Sequence, residues 1–315
     1  MTVPTSHVPT APAARPAAAL GLRLPCPVVL LPAPACYLGG DIVAGLLAVA
    51  PATDAPQLIA DLGTNCELVL RWGGRSWGTA VPAGPAFEGA ALRCGLGAVP
   101  GAIHAVEQTD DGRLQVATLG GAAPLGWCGS GVLAWLARAQ AIGLVDQRGR
   151  LDATAAQVVE LQLDGQRHRV WQAAEDVHLS EADIAEVLQA KAAVQAGIVG
   201  LCRVAGVDWR KLQLVLAGSL VRHLQATDLI RLGILPPIPP ARITSCGNSA
   251  LAGACRWLLD ADCPDLAARI CRELQWVELN QQPAFMDDYI EACSLPLDGA
   301  GEHPAWSSSA CGPPG

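Results

Sequence analysis

Residues 58–89, LIADLGTNCELVLRWGGRSWGTAVPAGPAFEG, decide the fold of this chain. An apolar run, Leu58-Ile59-Ala60, delivers Asp61 and then Gly63-Thr64-Asn65 into a tight turn, and alternating apolar residues resume after Glu67. That pattern predicts a strand, a turn the size of a phosphate group, and a returning strand. Without a Cβ, Gly63 lets backbone N–H groups approach an anion closely. Thr64 and Asn65 add short donors, and Asp61 is placed to hold a metal ion or a water. The Walker pattern GxxxxGK[ST] is absent. An Asp-x-Gly-Thr turn also closes ordinary hairpins, so the surrounding motifs must separate the two readings.

Outward from this stretch the coarse pattern alternates strands and helices. Residues 41–50 read as a short helix, 58–77 as a strand pair turned at Gly73-Gly74, and 114–119 as a strand. Gly129-Ser130-Gly131 opens a helix that Gly143 ends. Ser180-Glu181-Ala182-Asp183 resembles a capping box, and three/four spacing of apolar residues then runs from Ile184 to Gly206. Residues 212–217 predict a buried strand ended by Gly218. A short strand over 242–245 precedes helices over 248–259 and 266–274. The Ala/Pro-rich residues 1–24 and the residues 298–315 predict disordered tails around one domain at 25–297.

A chain of 315 residues buries about 75% of its unfolded surface, enough for a core without staples. The net charge is −8, and no basic cluster exceeds Arg210-Lys211. Nucleic-acid binding is disfavoured, because neutralising phosphates needs a basic face. The 12 cysteines include no CxxC and no ferredoxin spacing, so no iron–sulfur cluster is expected in this chain. Cys255, Cys263 and Cys271 recur at a constant interval, but small apolar helix positions produce the same spacing. Scattered buried thiols in a reducing cytoplasm are expected. None of the six histidines pairs with a Cys or Asp at metal spacing, and all read as structural or surface residues. The apolar segment 24–40 is cut by Pro25, Pro27, Pro32 and Pro34, and the N-terminus lacks a basic signal region. Neither a membrane span nor a secretory leader is expected, and the location is predicted to be cytoplasmic.

Six further motifs follow in order: Pro82-Ala83-Gly84-Pro85-Ala86-Phe87-Glu88-Gly89-Ala90, Gly101-Ala102-Ile103, Cys128-Gly129-Ser130-Gly131, Ala190-Lys191-Ala192-Ala193, Leu216-Ala217-Gly218, and Gly247-Asn248-Ser249-Ala250-Leu251-Ala252-Gly253-Ala254. Together with the opening turn, the ordered set resembles the C-terminal domain of the reductive activators of corrinoid proteins. The resemblance runs from about residue 31 to about residue 296. That family looks like the ASKHA (actin, sugar-kinase and acetate-kinase) superfamily. Its members use ATP to return an oxidised cobalt(II) corrinoid protein to the cobalt(I) state needed for methyl transfer. The fold implied is an α/β, ribonuclease-H-like or actin-like half-domain, a mixed sheet with helices on both faces. Full-length members carry a [2Fe–2S] ferredoxin-like domain and a first ATPase half ahead of the part seen here.

The resemblance implies ATP or ADP with Mg2+ as cofactor, with Asp61 on the metal or the attacking water and Glu88 as base or metal ligand. Gly63, Thr64 and Asn65 would cradle phosphate, and Gly129 and Ser130 would supply a helix N-terminus for an anion. Lys191 would touch the nucleoside, with a solvated helix lysine as the alternative. Gly218, Gly247 and Asn248 would border the adenosine. Relatives read Leu-Ala-Gly-Gly-Phe-Gly where this chain has Leu216-Ala217-Gly218-Ser219-Leu220-Val221, so side chains are expected to crowd the adenosine turn. Cys66 also stands where relatives have glycine. The function expected is the ATP-binding C-terminal part of an activator, incomplete alone. A separate polypeptide would supply the missing half and the [2Fe–2S] domain, and a corrinoid protein or corrinoid methyltransferase would be the partner. Two alternatives stand: a nucleotide-independent binding module for that partner, and a small-molecule kinase. Whether the chain is itself a working ATPase is left open.

Overall fold

The computed structural model describes residues 10–51, 54–218, 220–297 and 306. From the N-terminus, β1 (Ala13–Arg15) pairs antiparallel with β2 (Val28–Leu30), and α1 (Gly40–Ala48) follows. Next come β3 (Gln57–Leu62), β4 (Cys66–Trp72) and β5 (Arg75–Val81). The strands β6 (Ala102–Gln108), β7 (Leu114–Thr118) and β8 (Gly126–Trp127) make a small sheet that leads into α2 (Gly129–Ala141). A second small sheet, β9 (Val158–Leu163), β10 (Gln166–Ala174) and β11 (Val177–Ser180), leads into α3 (Glu181–Ala205). The rest runs β12 (Gln213–Ala217), α4 (Ala226–Arg231), β13 (Ile243–Gly247), α5 (Ser249–Leu259), α6 (Cys263–Glu273), β14 (Leu274–Trp276) and α7 (Phe285–Ala292).

The central sheet has the order β13-β12-β3-β4-β5-β14. The strands β3, β4 and β5 form an antiparallel meander, while β12 and β13 run parallel to β3 and β14 runs parallel to β5. This is the mixed, ribonuclease-H-like sheet the sequence implies. Alternation along β3 sets its two faces. Leu58, Ala60 and Leu62 join the main core with Leu68 and Leu70 of β4. Ile59 turns the other way, with Val69 and Val215, against Ile42 and Leu46 of α1. Helix α3 packs on β4 and β5, and α1 is held on its own face by α5. Gly253 makes that helix pair possible, because a Cβ there would lie 1.7 Å from the Ala44 carbonyl oxygen.

Ser180 caps α3: its hydroxyl accepts from the Asp183 N–H at 3.1 Å, and the Asp183 carboxylate accepts from the Ser180 N–H at 2.8 Å. The capping box is thus formed as expected. Among the described helices α3 is long and apolar enough to cross a membrane, but 83% of its apolar window is buried inside the molecule. It is the central core helix. Two findings bear on the expected tails. Their outer residues fall outside the described set, yet Ala13–Arg15 lies in β1, and Trp306 is buried edge-on to Trp209 with ring centroids 5.7 Å apart.

Candidate functional site

Because β3, β12 and β13 are parallel neighbours, their turns leave the sheet at one edge. Asp61 lies opposite Ala217, and Ala217 lies opposite Gly247. Gly218 then passes so close to the end of β3 that a Cβ would meet the Leu62 carbonyl oxygen at 2.8 Å and Asp61 Oδ1 at 3.1 Å. Its φ of +107° is also one that only glycine adopts without strain. The Gly218 N–H donates to the Gly247 carbonyl at 2.9 Å. Asn248 caps α5, its side-chain oxygen accepting from the Leu251 N–H at 2.8 Å. Asp61, Gly218, Gly247 and Asn248 are therefore brought together at the C-terminal ends of parallel strands, where α/β sheets bind ligands.

The phosphate-type turn meets a second loop. The exposed Thr64 hydroxyl donates to Glu88 Oε2 at 3.0 Å, and the Gly84 N–H donates to the Thr64 carbonyl at 2.8 Å. Gly129, at the start of α2, lies against this loop: a Cβ there would sit 1.4 Å from the Phe87 carbonyl oxygen. Close packing alone therefore requires glycine at this position. Gly63 and Asn65 complete the turn, and Gly63 stays outside the left-handed region. Ser130 is buried, with its hydroxyl donating to the His104 carbonyl at 3.1 Å, so its side chain faces inward.

The wall around Asp61 is acidic. Asp61 and Glu67 are cross-strand partners on one face of the β3–β4 hairpin. They line a small cavity with Ile42, Ile59 and Ser249. Burial, and then the Asp41 carboxylate, push Asp61 above its ordinary range. Burial followed by Asp41 and Asp61 pushes Glu67 up to about 7. The buried Cys66 thiol is pushed well up, first by burial and then by Glu67 and Asp61. Among the described residues no group of three His, Cys, Asp or Glu side chains is arranged to hold a metal ion. The donor set fits Mg2+ held mainly by phosphates and water, with one or two carboxylates beside it.

Two sequence expectations change. Lys191 is neither solvated nor directed at these turns. It is 1% exposed, and its Nζ donates to the Ala292 carbonyl at 2.7 Å and the Ser294 carbonyl at 2.6 Å, at the end of α7. Burial brings it down to about 7, partly offset by Cys293. The adenosine-side turn differs too. Val221 is buried in the main core and Leu220 packs against it, because a helical turn over Leu220–His223 aims both inward. Ser219 lies outside the described residues. The side chain standing over Gly247 is Arg222, whose Nε is 2.9 Å from where a Cβ would be. Arg222, Asp41 and Glu67 were missed as site residues. Glu67 had a readable signal, since a three-residue turn pairs it with Asp61. The other two are positioned by tertiary packing.

The sheet order and this strand-edge site define an ASKHA half-domain of the actin-like kind. The model of the C-terminal ASKHA domain of RACo matches residues 55–306, and the chain belongs to that family. It is 29% identical over 277 residues to the corrinoid activation enzyme RamQ of Eubacterium limosum, covering 84% of this chain and 46% of that protein. It is 25% identical over 276 residues to the [Co(II) methylated amine-specific corrinoid protein] reductase of Methanosarcina barkeri, covering 79% of this chain and 47% of that protein. A solved structure, a reductive activator for corrinoid,iron-sulfur protein, superposes with a TM-score of 0.80 at 31% identity, over 90% of this chain and 47% of its own. The chain spans about half the length of the relatives it matches.

Proposed function

We propose that this chain is the nucleotide-binding second half of a reductive activator of corrinoid proteins. In this reading the phosphates of Mg–ATP or Mg–ADP lie against Gly63, Thr64 and Asn65, near Glu88 and the backbone at Gly129 and Ser130. The nucleoside lies along Gly218, Gly247 and Asn248. Bound Mg–ATP supplies a transferable phosphoryl group. Asp61 holds the metal or orients water, and Thr64 orients the Glu88 carboxylate as base or metal ligand. One observation carries the reading: Asp61 Oδ1 and the Gly218 backbone are packed together at the ends of two parallel strands.

Phosphoryl transfer needs charge stabilisation from both walls of a cleft. The activity proposed therefore requires a first ATPase half beside this half-domain, and in this reading it acts with a [2Fe–2S] domain in the cytoplasm on a corrinoid protein or corrinoid methyltransferase. The test is calorimetric titration with Mg–ADP. Asp61→Asn should weaken binding at least about tenfold, while equal affinities in the two proteins would refute the site. A second reading, a nucleotide-independent module for the same partner, is favoured by Arg222 lying over Gly247. Absence of Mg–ADP binding by the folded chain, with a corrinoid protein still captured, would select it.

A further inference from the structure

Cys94 lies on the loop that follows Glu88; its thiol donates to the Asp176 carbonyl at 3.6 Å, and its Sγ is 3.7 Å from Nδ1 and 3.9 Å from Nε2 of His178 in β11. The thiol is half-exposed, while the imidazole is 7% exposed. A half-accessible thiol against a buried imidazole is the arrangement of an activated nucleophile, with the base held in place by its surroundings. Those surroundings are specific. The Asp183 carboxylate faces His178 and is fixed by the Ser180 N–H at 2.8 Å and the Arg93 N–H at 2.8 Å. The Arg93 guanidinium, paired with Asp164 of the β9–β10 turn, adds positive charge near both Cys94 and His178.

Burial, with Arg93, keeps the His178 imidazole below its ordinary range against the opposing pull of Asp183. Burial raises Cys246, Cys263 and Cys293, and takes Cys271 to about 11. The exposed Cys26, Cys36 and Cys255 have no comparable imidazole contact among the described residues.

We propose that Cys94 is a reactive thiol, with His178 as its proton acceptor, that exchanges with low-molecular-weight disulfides to form a mixed disulfide. The Cys94 proton moves to a ring nitrogen of His178, and the thiolate attacks one sulfur of the disulfide. One S–S bond forms as another breaks, and the departing thiolate takes the proton from His178, so one disulfide and one thiol give a mixed disulfide and a new thiol. The modified residue would sit on the loop that carries Glu88. That loop is folded tightly on itself: a Cβ on Gly95 would fall 1.7 Å from the Gly89 carbonyl oxygen.

The test exposes the full chain to glutathione disulfide at neutral pH and maps the adducts by peptide mass. Cys94 should react at least about tenfold faster than Cys26, Cys36 or Cys255, and His178→Gln should lower its rate about tenfold with an unchanged thermal midpoint. Equal rates at the four thiols would overturn the proposal, as would a folded His178→Gln chain that reacts like the parent. Should that variant fail to fold, the parent chain still decides.

Discussion

Lys191→Met should remove a pH dependence of stability that the parent chain shows between pH 7 and 8.5. In the folded chain Lys191 is held to about 7 by burial, whereas an unfolded lysine stays near its ordinary value of about 10.4. Across this window the unfolded state keeps the proton while the folded state releases it, so stability rises with pH. Integrating the difference in bound protons gives a gain of about 1.6 kcal/mol. The neutral amine still has two N–H groups for the carbonyls of Ala292 and Ser294. Methionine keeps the volume but removes the donor to these carbonyls, so the variant should also be less stable at either pH, by about 1–3 kcal/mol. Glu67, raised to about 7, loses a smaller contribution over the same window, equally in both proteins. Urea unfolding at the two pH values, under reducing conditions, reads the difference. With an m-value of about 3 kcal/mol/M the parent midpoint should gain about 0.5 M more than the variant's. Parallel shifts in the two proteins would refute the buried, deprotonating lysine.

Mg–ADP affinity should rise up to about tenfold from pH 6 to 8 as Glu67 ionises, and Asp61→Asn should lower the Glu67 pKa in a carboxyl NMR titration. A flat affinity profile would separate these carboxylates from the metal. Gly253→Ala should destabilise by about 1–3 kcal/mol by forcing α5 off α1, measured by denaturant unfolding; an unchanged midpoint would contradict the helix contact. Val221→Gly should cost about 1.5–3 kcal/mol of core burial without opening the adenosine turn. Arg222→Ala should instead tighten Mg–ADP binding at least about threefold by calorimetry, and weaker binding would mean that Arg222 contacts the nucleotide.

The sequence was most readable where local rules and tertiary packing agree. Residues 58–72 carry an apolar run on each side of a three-residue turn, so β3, β4 and the position of Asp61 could be read directly. The α3 cap followed from Ser180 and Asp183 alone. The two small sheets were far less visible: β6, β9 and β10 carry exposed polar positions and mixed periodicity, although each pairs with a strand close in sequence. Lys191 misled for a physical reason. A lysine among alanines has the composition of a solvated helix face, and only the docking of α7 supplies the carbonyls that allow its burial. Val221 misled in the opposite way, because a one-turn helix after Gly218 reverses the direction that extended backbone would give it.

The glycines of this site serve two different constraints, which bears on how its motifs should be read. Gly129 and Gly253 are required by the protein's own backbone, which leaves no room for a methyl group whatever binds nearby. Gly218 and Gly247 combine left-handed backbone with positions beside Asp61 and Arg222. Matching all four glycines therefore identifies the fold, while ligand affinity depends on the groups around the second pair. Those groups are unbalanced in charge. Burial, and then the nearby Asp41 carboxylate, raises Asp61, and burial followed by Asp41 and Asp61 raises Glu67. A polyphosphate approaching this wall meets repulsion until a divalent cation or protons neutralise it. In the proposed nucleotide-binding reading, a divalent cation would therefore be a condition for phosphate to settle against Asp61 and Thr64, and cations from an opposing wall would complete the neutralisation.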